Sequence, residues 1–191
     1  MPESAISIAK RALEESGKTV LKLEGLVDQV LDAAGMLLNC IKSGNKIMFC
    51  GNGGSAADSQ HLACELVEKY SKKRKALAAM ALTTDTSILT AVPNDENFEL
   101  LFARQIEALG RDGDVLFALS TSGESPNILR ALKQARSMNI HTIGLTGEHG
   151  GAMAEDCDLL IEVPSTTVAR IQECHITLGH ILVEIIESEV A

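Results

Sequence analysis

Twice along this chain a short run of strand type ends in a turn of small residues that opens a helical pattern. Lys46-Ile-Met-Phe-Cys50 precedes Gly51-Asn-Gly-Gly-Ser55, and Asp114 to Leu119 precedes Ser120-Thr-Ser-Gly-Glu-Ser125. Further strand-type runs, Leu77 to Leu82, His141 to Leu145 and Asp158 to Val163, are spaced by helical patterns over Ala57 to Tyr70, Asp85 to Ala91, Phe98 to Leu109 and Asn127 to Met138. A parallel crossover needs a helix's worth of chain, so this alternation predicts an α/β fold: a three-layer sandwich with a five-stranded, mainly parallel sheet flanked by helices. Ligands in such sheets sit at the carboxyl ends of the strands, where both turns fall.

Helical periodicity also fills the two ends. From Ser4 to Ile41 the residues Ile6, Ile8, Leu13, Val20, Leu21, Leu26, Val27, Val30, Leu31 and Leu37 recur at helical spacing, which predicts two helices with a break near Gly17. Thr166 to Val190 reads as a long amphipathic helix with more than one apolar stripe, through Ile171, Ile176, Leu178, Ile181, Leu182, Ile185 and Ile186. Long apolar helices at both ends of an otherwise complete α/β unit predict helical contacts between subunits. At 191 residues, 46% of them hydrophobic, the chain suits one core, read as a single domain of a helical region over 1–43 and an α/β core over 44–191.

The net charge of −9 argues against nucleic acid or an anionic membrane as main partner, since both call for a dominant basic field. The one basic run, Lys72-Lys73-Arg74-Lys75, reads as a solvated loop. Five cysteines, an odd number without CxxC spacing, indicate neither a disulfide framework nor a zinc ribbon and fit a reducing, cytoplasmic setting. The first fifteen residues mix acids into an amphipathic repeat, and no apolar run reaches the ~18 residues of a membrane span.

The turns themselves point to an anionic ligand, because backbone N–H groups at a helix N-terminus, the helix dipole and Ser/Thr hydroxyls all favour a cluster of anionic oxygens. Gly51-Asn-Gly53-Gly-Ser-Ala56 also fits G-x-G-x-x-A, the dinucleotide fingerprint, which makes a nicotinamide oxidoreductase the rival reading. Against it, no acid ends the second strand run before Asp85, where a ribose would need one. The hydroxyls of Ser120, Thr121, Ser122 and Ser125 suit a terminal monophosphate better than a pyrophosphate diester. No G-x-x-x-x-G-K-[ST] is present, which excludes a P-loop.

Polar residues also appear where apolar periodicity does not ask for them. His61 and Glu65 share one face of the helix after the first turn, a spacing able to hold a divalent metal or to share proton transfer. Gln172 and His180 lie eight residues apart on the C-terminal helix, about 12 Å at 1.5 Å per residue, so only extended side chains bring both to one ion. Cys64 and Cys174 flank these sites and could serve as adventitious ligands, but small buried packing residues are the favoured reading.

Together, Cys50-Gly-Asn-Gly-Gly-Ser55, His61-Leu-Ala-Cys-Glu65, Asn94-Asp95, Ser120-Thr-Ser-Gly123 with Ser125, Leu145-Thr-Gly147 and Ala169-Arg-Ile-Gln-Glu173 with His175 and His180 resemble the phosphoheptose isomerase family of the sugar isomerase (SIS) domain group. The likeness runs from Gly44 to the C-terminus and more loosely over the N-terminal helices. It implies an SIS-type fold with a phosphosugar-binding core, a cytoplasmic homotetramer, and interconversion of sedoheptulose 7-phosphate and D-glycero-D-manno-heptose 7-phosphate. By resemblance, the substrate is held by Asn52, Gly53, Gly54, Ser55, Glu65, Asn94, Asp95, Ser120, Thr121, Ser122, Ser125 and Gln172. The resemblance also gives zinc ligands His61, Glu65, Gln172 and His180 and an acid/base pair, Glu65 and His180. Ala169 departs from the acid some members carry there, and this bears on how the sugar hydroxyls are held. The rival within the group is a non-catalytic member resembling the protein that associates with the bacterial replication initiator; Glu65 and His180 favour the enzyme.

Overall fold

The computed structural model describes residues 4–191. Its helices are α1 (Ala5–Leu21), α2 (Val27–Lys42), α3 (Gly54–Val67), α4 (Thr86–Asp95), α5 (Leu101–Leu109), α6 (Pro126–Ser137) and α7 (Val168–Val190). Its strands are β1 (Ile47–Gly51), β2 (Ala79–Ala81), β3 (Val115–Leu119), β4 (His141–Thr146) and β5 (Leu159–Glu162). The sheet runs β2-β1-β3-β4-β5, and every pairing is parallel.

Both faces of the sheet are covered, so the central strands β1 and β3 are buried along their whole length and carry no charged or hydroxyl side chain, as parallel strands between helical layers require. Alternate side chains go opposite ways. Ile47, Phe49, Val115, Phe117 and Leu119 join Leu37, Leu62, Leu66, Leu178, Leu182 and Ile186 of α2, α3 and α7 in one core. Met48, Cys50, Leu116 and Ala118 join Phe102, Ile106, Ile128 and Leu132 of α5 and α6 in the other, with Leu89 and Val92 of α4 packed against it.

The break in the N-terminal region falls later than periodicity predicts. Gly17 stays inside α1, where Glu14–Lys18 and Arg11–Glu15 pairs at i,i+4 bridge the turns around it. The chain instead tightens to a 3-10 turn over Lys22–Leu26, which puts Leu23 into the core before α2 begins. The C-terminal helix is present as α7, and Arg170 on it donates to the Ala12 carbonyl of α1.

The basic run also differs from its reading as a solvated loop. Lys72, Lys73 and Lys75 are exposed, but the Arg74 side chain is only 1% exposed, because its Nε lies 3.3 Å from the buried carboxylate of Glu187. Cys174 is buried as expected, whereas Cys64 is exposed, and all five cysteines are free. Among the described residues no helix is long and apolar enough to cross a membrane.

Candidate active site

The strand order reverses between β1 and β3: the chain leaves β1 for β2 on one side and returns to β3 on the other. Crossovers therefore diverge at the carboxyl ends of these two strands, and the crevice between them is where sheets of this kind take ligands. Both small-residue turns open there. Gly53, at φ +57, begins α3 with no side-chain cap, and Ser125 begins α6 with none either. Across the second turn the Ser120 and Ser125 hydroxyls lie 3.2 Å apart, and Ser122 Oγ accepts the Glu124 N–H.

Asn127, in the first turn of α6, ties the two turns together. Its amide exchanges two hydrogen bonds of 2.9 Å with the amide of Asn52, and it is buried. Sequence reading passed over it because an Asn just inside a helix resembles any other N-terminal polar residue. The rival fingerprint reading loses its last acid here, since Asp85 caps α4 through the Ser87 and Ile88 N–H groups.

His61, Glu65 and His180 converge although 119 residues separate the two histidines. The His Nε2 atoms are 3.0 Å apart, His61 Nε2 is 3.4 Å from Glu65 Oε1, and the three ligand atoms lie within 4.8 Å of one another. Close packing of α3 on α7 brings this about. A Cβ on Gly179 would fall 2.5 Å from Leu62 Cδ2, so the glycine next to His180 allows the approach at the leucine next to His61. Metal–ligand bonds of about 2.0–2.2 Å in a tetrahedral site leave neighbouring donors about 3.3 Å apart. Two imidazole nitrogens and a carboxylate at these separations form a group suited to a divalent cation.

Gln172 is placed at the other end of α3, its amide against Gly54, where a Cβ would come within 2.5 Å of Nε2. It thus stands over the first turn, two helical turns before His180. Asn94 and Asp95 end α4 on the surface, with the Asn94 amide donating to the Asp95 carboxylate at 2.7 Å. Asp58 is a further residue that sequence reading missed. Burial raises its carboxyl pKa against the opposing charges of His61 and His180, and its Oδ2 is buried without a hydrogen-bond partner. The pattern was visible, since Asp58, His61 and Glu65 recur at i, i+3 and i+7 along one helix face.

His175, fully buried, holds the end of β4 through an Nε2 contact of 3.1 Å with the Thr146 carbonyl. Burial lowers its pKa from 6.5 to about 4, partly offset by that contact. The unfolded chain therefore takes up a proton first as the solution is acidified. Stability is expected to be flat above pH 6.5 and to fall as pH drops toward 4, by about 3 kcal/mol. Urea unfolding across that range, parent beside His175→Gln, checks this; the variant should lack the slope.

A doubly covered parallel sheet with hydroxyl-lined turns at its switch point defines a phosphosugar-binding type of α/β protein, and residues 13–147 match the SIS domain family, to which the chain belongs. A phosphoheptose isomerase of Rhodospirillum rubrum is 53% identical over 167 residues, covering 87% of this chain and 89% of its own. One from Campylobacter jejuni is 50% identical over 182 residues, covering 95% and 98%. The solved phosphoheptose isomerase of Neisseria gonorrhoeae superposes with a TM-score of 0.92 at 43% identity, covering 97% of this chain and all of that one. Within the SIS domain family the chain falls among the phosphoheptose isomerases.

Proposed function

We propose that this chain interconverts sedoheptulose 7-phosphate and D-glycero-D-manno-heptose 7-phosphate, the entry step to the heptose of bacterial lipopolysaccharide cores. The convergence of His61, Glu65 and His180 beside two anion-favouring turns carries the reading. Phosphoheptose isomerases at about half identity over nearly the whole chain support it.

In this reading the phosphate oxygens rest on Gly53, Gly54, Ser55, Ser120, Thr121, Ser122 and Ser125, with Asn52 fixed by Asn127 at the join. Asn94, Asp95 and Gln172 address the sugar hydroxyls. Ketose to aldose conversion moves one proton from C1 to C2 through an enediol. Glu65 takes the C1 proton and returns it at C2, while His180 delivers a proton to O2 and removes one from O1. Zinc would be held by His61, Glu65 and His180 and would supply polarisation of the carbonyl, whereas Gln172, the fourth ligand that the resemblance implies, lies over Gly54 instead. A carboxylate on a cation is a poor base, so Glu65 would act on C1 either turned away from the ion or beside an ion whose role is structural.

NMR of the purified chain with sedoheptulose 7-phosphate in D₂O, with chelator and with added zinc, tests the proposal. An aldoheptose 7-phosphate should appear. No turnover under any metal condition would sink the isomerase and leave a binding role for the same scaffold.

The chain is further proposed to act as one domain per subunit of a homotetramer in the cytoplasm. Exposed Ile6, Leu13 and Leu21 of α1 and Val27 and Leu31 about the start of α2 form apolar surface on the N-terminal helices, and Ile181 is exposed on α7. Mass measurement under native conditions should give four chains per particle, and a monomer would contradict this.

A further inference from the structure

The segment after α3 is fastened by a single buried ion pair. Glu187 of α7 accepts N–H bonds from Tyr70 at 3.0 Å, Ser71 at 2.8 Å and Lys72 at 2.7 Å, and the Ser71 hydroxyl at 3.0 Å. Three of these bonds fall on Oε2 and one on Oε1, which also faces Arg74 Nε. Arg74, paired with it, turns its guanidinium onto the end of α3: Nη2 donates to the Glu65 carbonyl at 2.7 Å and Nη1 to the Leu66 carbonyl at 2.8 Å. Such a cation on terminal carbonyls fixes where a helix ends. The side chains of Arg74 and Glu187 are 1% and 3% exposed.

Both ends of this fastening reach the candidate site. Arg74 holds the backbone of Glu65. Glu187 holds the backbone of Tyr70, whose ring lies 5.7 Å from the His180 ring at an interplanar angle of 33°, and His180 in turn lies edge-on to His61 at 5.1 Å. Stability alone gives little reason for the pair, because apolar residues of similar volume in place of a buried ion pair are often neutral or stabilising. Leu182, Val183 and Ile186 already seat this part of α7 in the core.

We infer that the Glu187–Arg74 pair is a positioning device for isomerisation, setting the Glu65 backbone directly and the His180 ring through Tyr70. This rests on the reading of Glu65 and His180 as the proton-transfer pair. Burial pushes the Glu187 carboxyl up, but the N–H bonds from Lys72, Ser71 and Tyr70 and the Ser71 hydroxyl outweigh it and bring it down to about 2. The anchor thus stays charged across the range in which such an enzyme works.

The test compares Tyr70→Phe, Tyr70→Ala, Glu187→Gln and the double variant Glu187→Gln/Tyr70→Ala. Misplacement of a catalytic group by a fraction of an ångström lowers turnover with little effect on ground-state binding. Tyr70→Ala and Glu187→Gln should each reduce kcat about tenfold with KM within about twofold. Tyr70→Phe, which keeps the ring, should match the parent. The double variant should be no slower than the slower single one, as expected of residues acting in series. Imidazole ¹⁵N–¹H spectra give a readout independent of turnover: the His180 signals should move in Glu187→Gln although Tyr70 is present.

A lower melting temperature in Glu187→Gln, with unchanged kcat per folded protein and unmoved His180 signals, would overturn the inference and leave a simple staple. Multiplying losses in the double variant would overturn it too. Full activity of His180→Gln would instead remove the proton-transfer reading, and the imidazole spectra would still decide whether Glu187 positions that ring.

Discussion

Glu65→Gln is expected to fold as the parent does and to lower kcat by about 10²- to 10⁴-fold, the range that a positioned acid or base contributes. The substitution keeps the side chain's shape, and Glu65 is part-exposed on α3 rather than set in a core. An amide oxygen can still face a cation but cannot accept the C1 proton. Exchange of the substrate's C1 hydrogen with D₂O should therefore vanish together with product formation. Metal content and melting temperature, measured on the same sample, separate loss of the base from loss of the site. Retained C1 exchange in Glu65→Gln would assign the base elsewhere.

Gly123→Ala should be the most damaging single methyl in the second turn. Gly123 has φ +67, and a Cβ there would fall 2.0 Å from the Gly150 carbonyl oxygen, so backbone of one loop would have to retreat from backbone of another. Left-handed strain of about 1 kcal/mol and overpacking of about 1–3 kcal/mol combine. Urea unfolding should show a loss of about 2–4 kcal/mol. The same retreat moves Ser120, Thr121 and Ser122, so KM for the phosphosugar should rise even where the protein remains folded. Parental stability and KM together would mean that the two loops have room to separate.

What the sequence made readable, and what it did not, divides by range. The strands and the turns at Gly51 and Ser120 rest on local pattern, and β1, β3, β4 and β5 lie within a residue or so of the apolar runs that announced them. β2 shrank to Ala79–Ala81, since at the sheet edge only these residues pair with β1. His61 and Glu65 were visible as a helix pair, but only folding brings His180 to them. Spacing marked His180 only as a stretched partner of Gln172, and the resemblance joined it to His61 and Glu65. Arg74 was misread for the same cause. In a run of four cations nothing local distinguishes the one whose carboxylate waits at Glu187 on the last helix. Asn127 needs its partner across the fold to be seen as more than a surface polar group, whereas Asp58 was readable from its spacing to His61 and Glu65.

The position of Gln172 over Gly54, with His61 two turns further along α3, has a consequence for which molecules react. With the phosphate seated at the turn as proposed, anchoring and chemistry occupy one rigid helix at points about 10 Å apart, at 1.5 Å per residue. The helix is then a ruler. A sugar phosphate would then be chosen by the number of carbons between its phosphate and its carbonyl, so a shorter chain with identical hydroxyl stereochemistry would bind by its phosphate and stop short of the group formed by His61, Glu65 and His180.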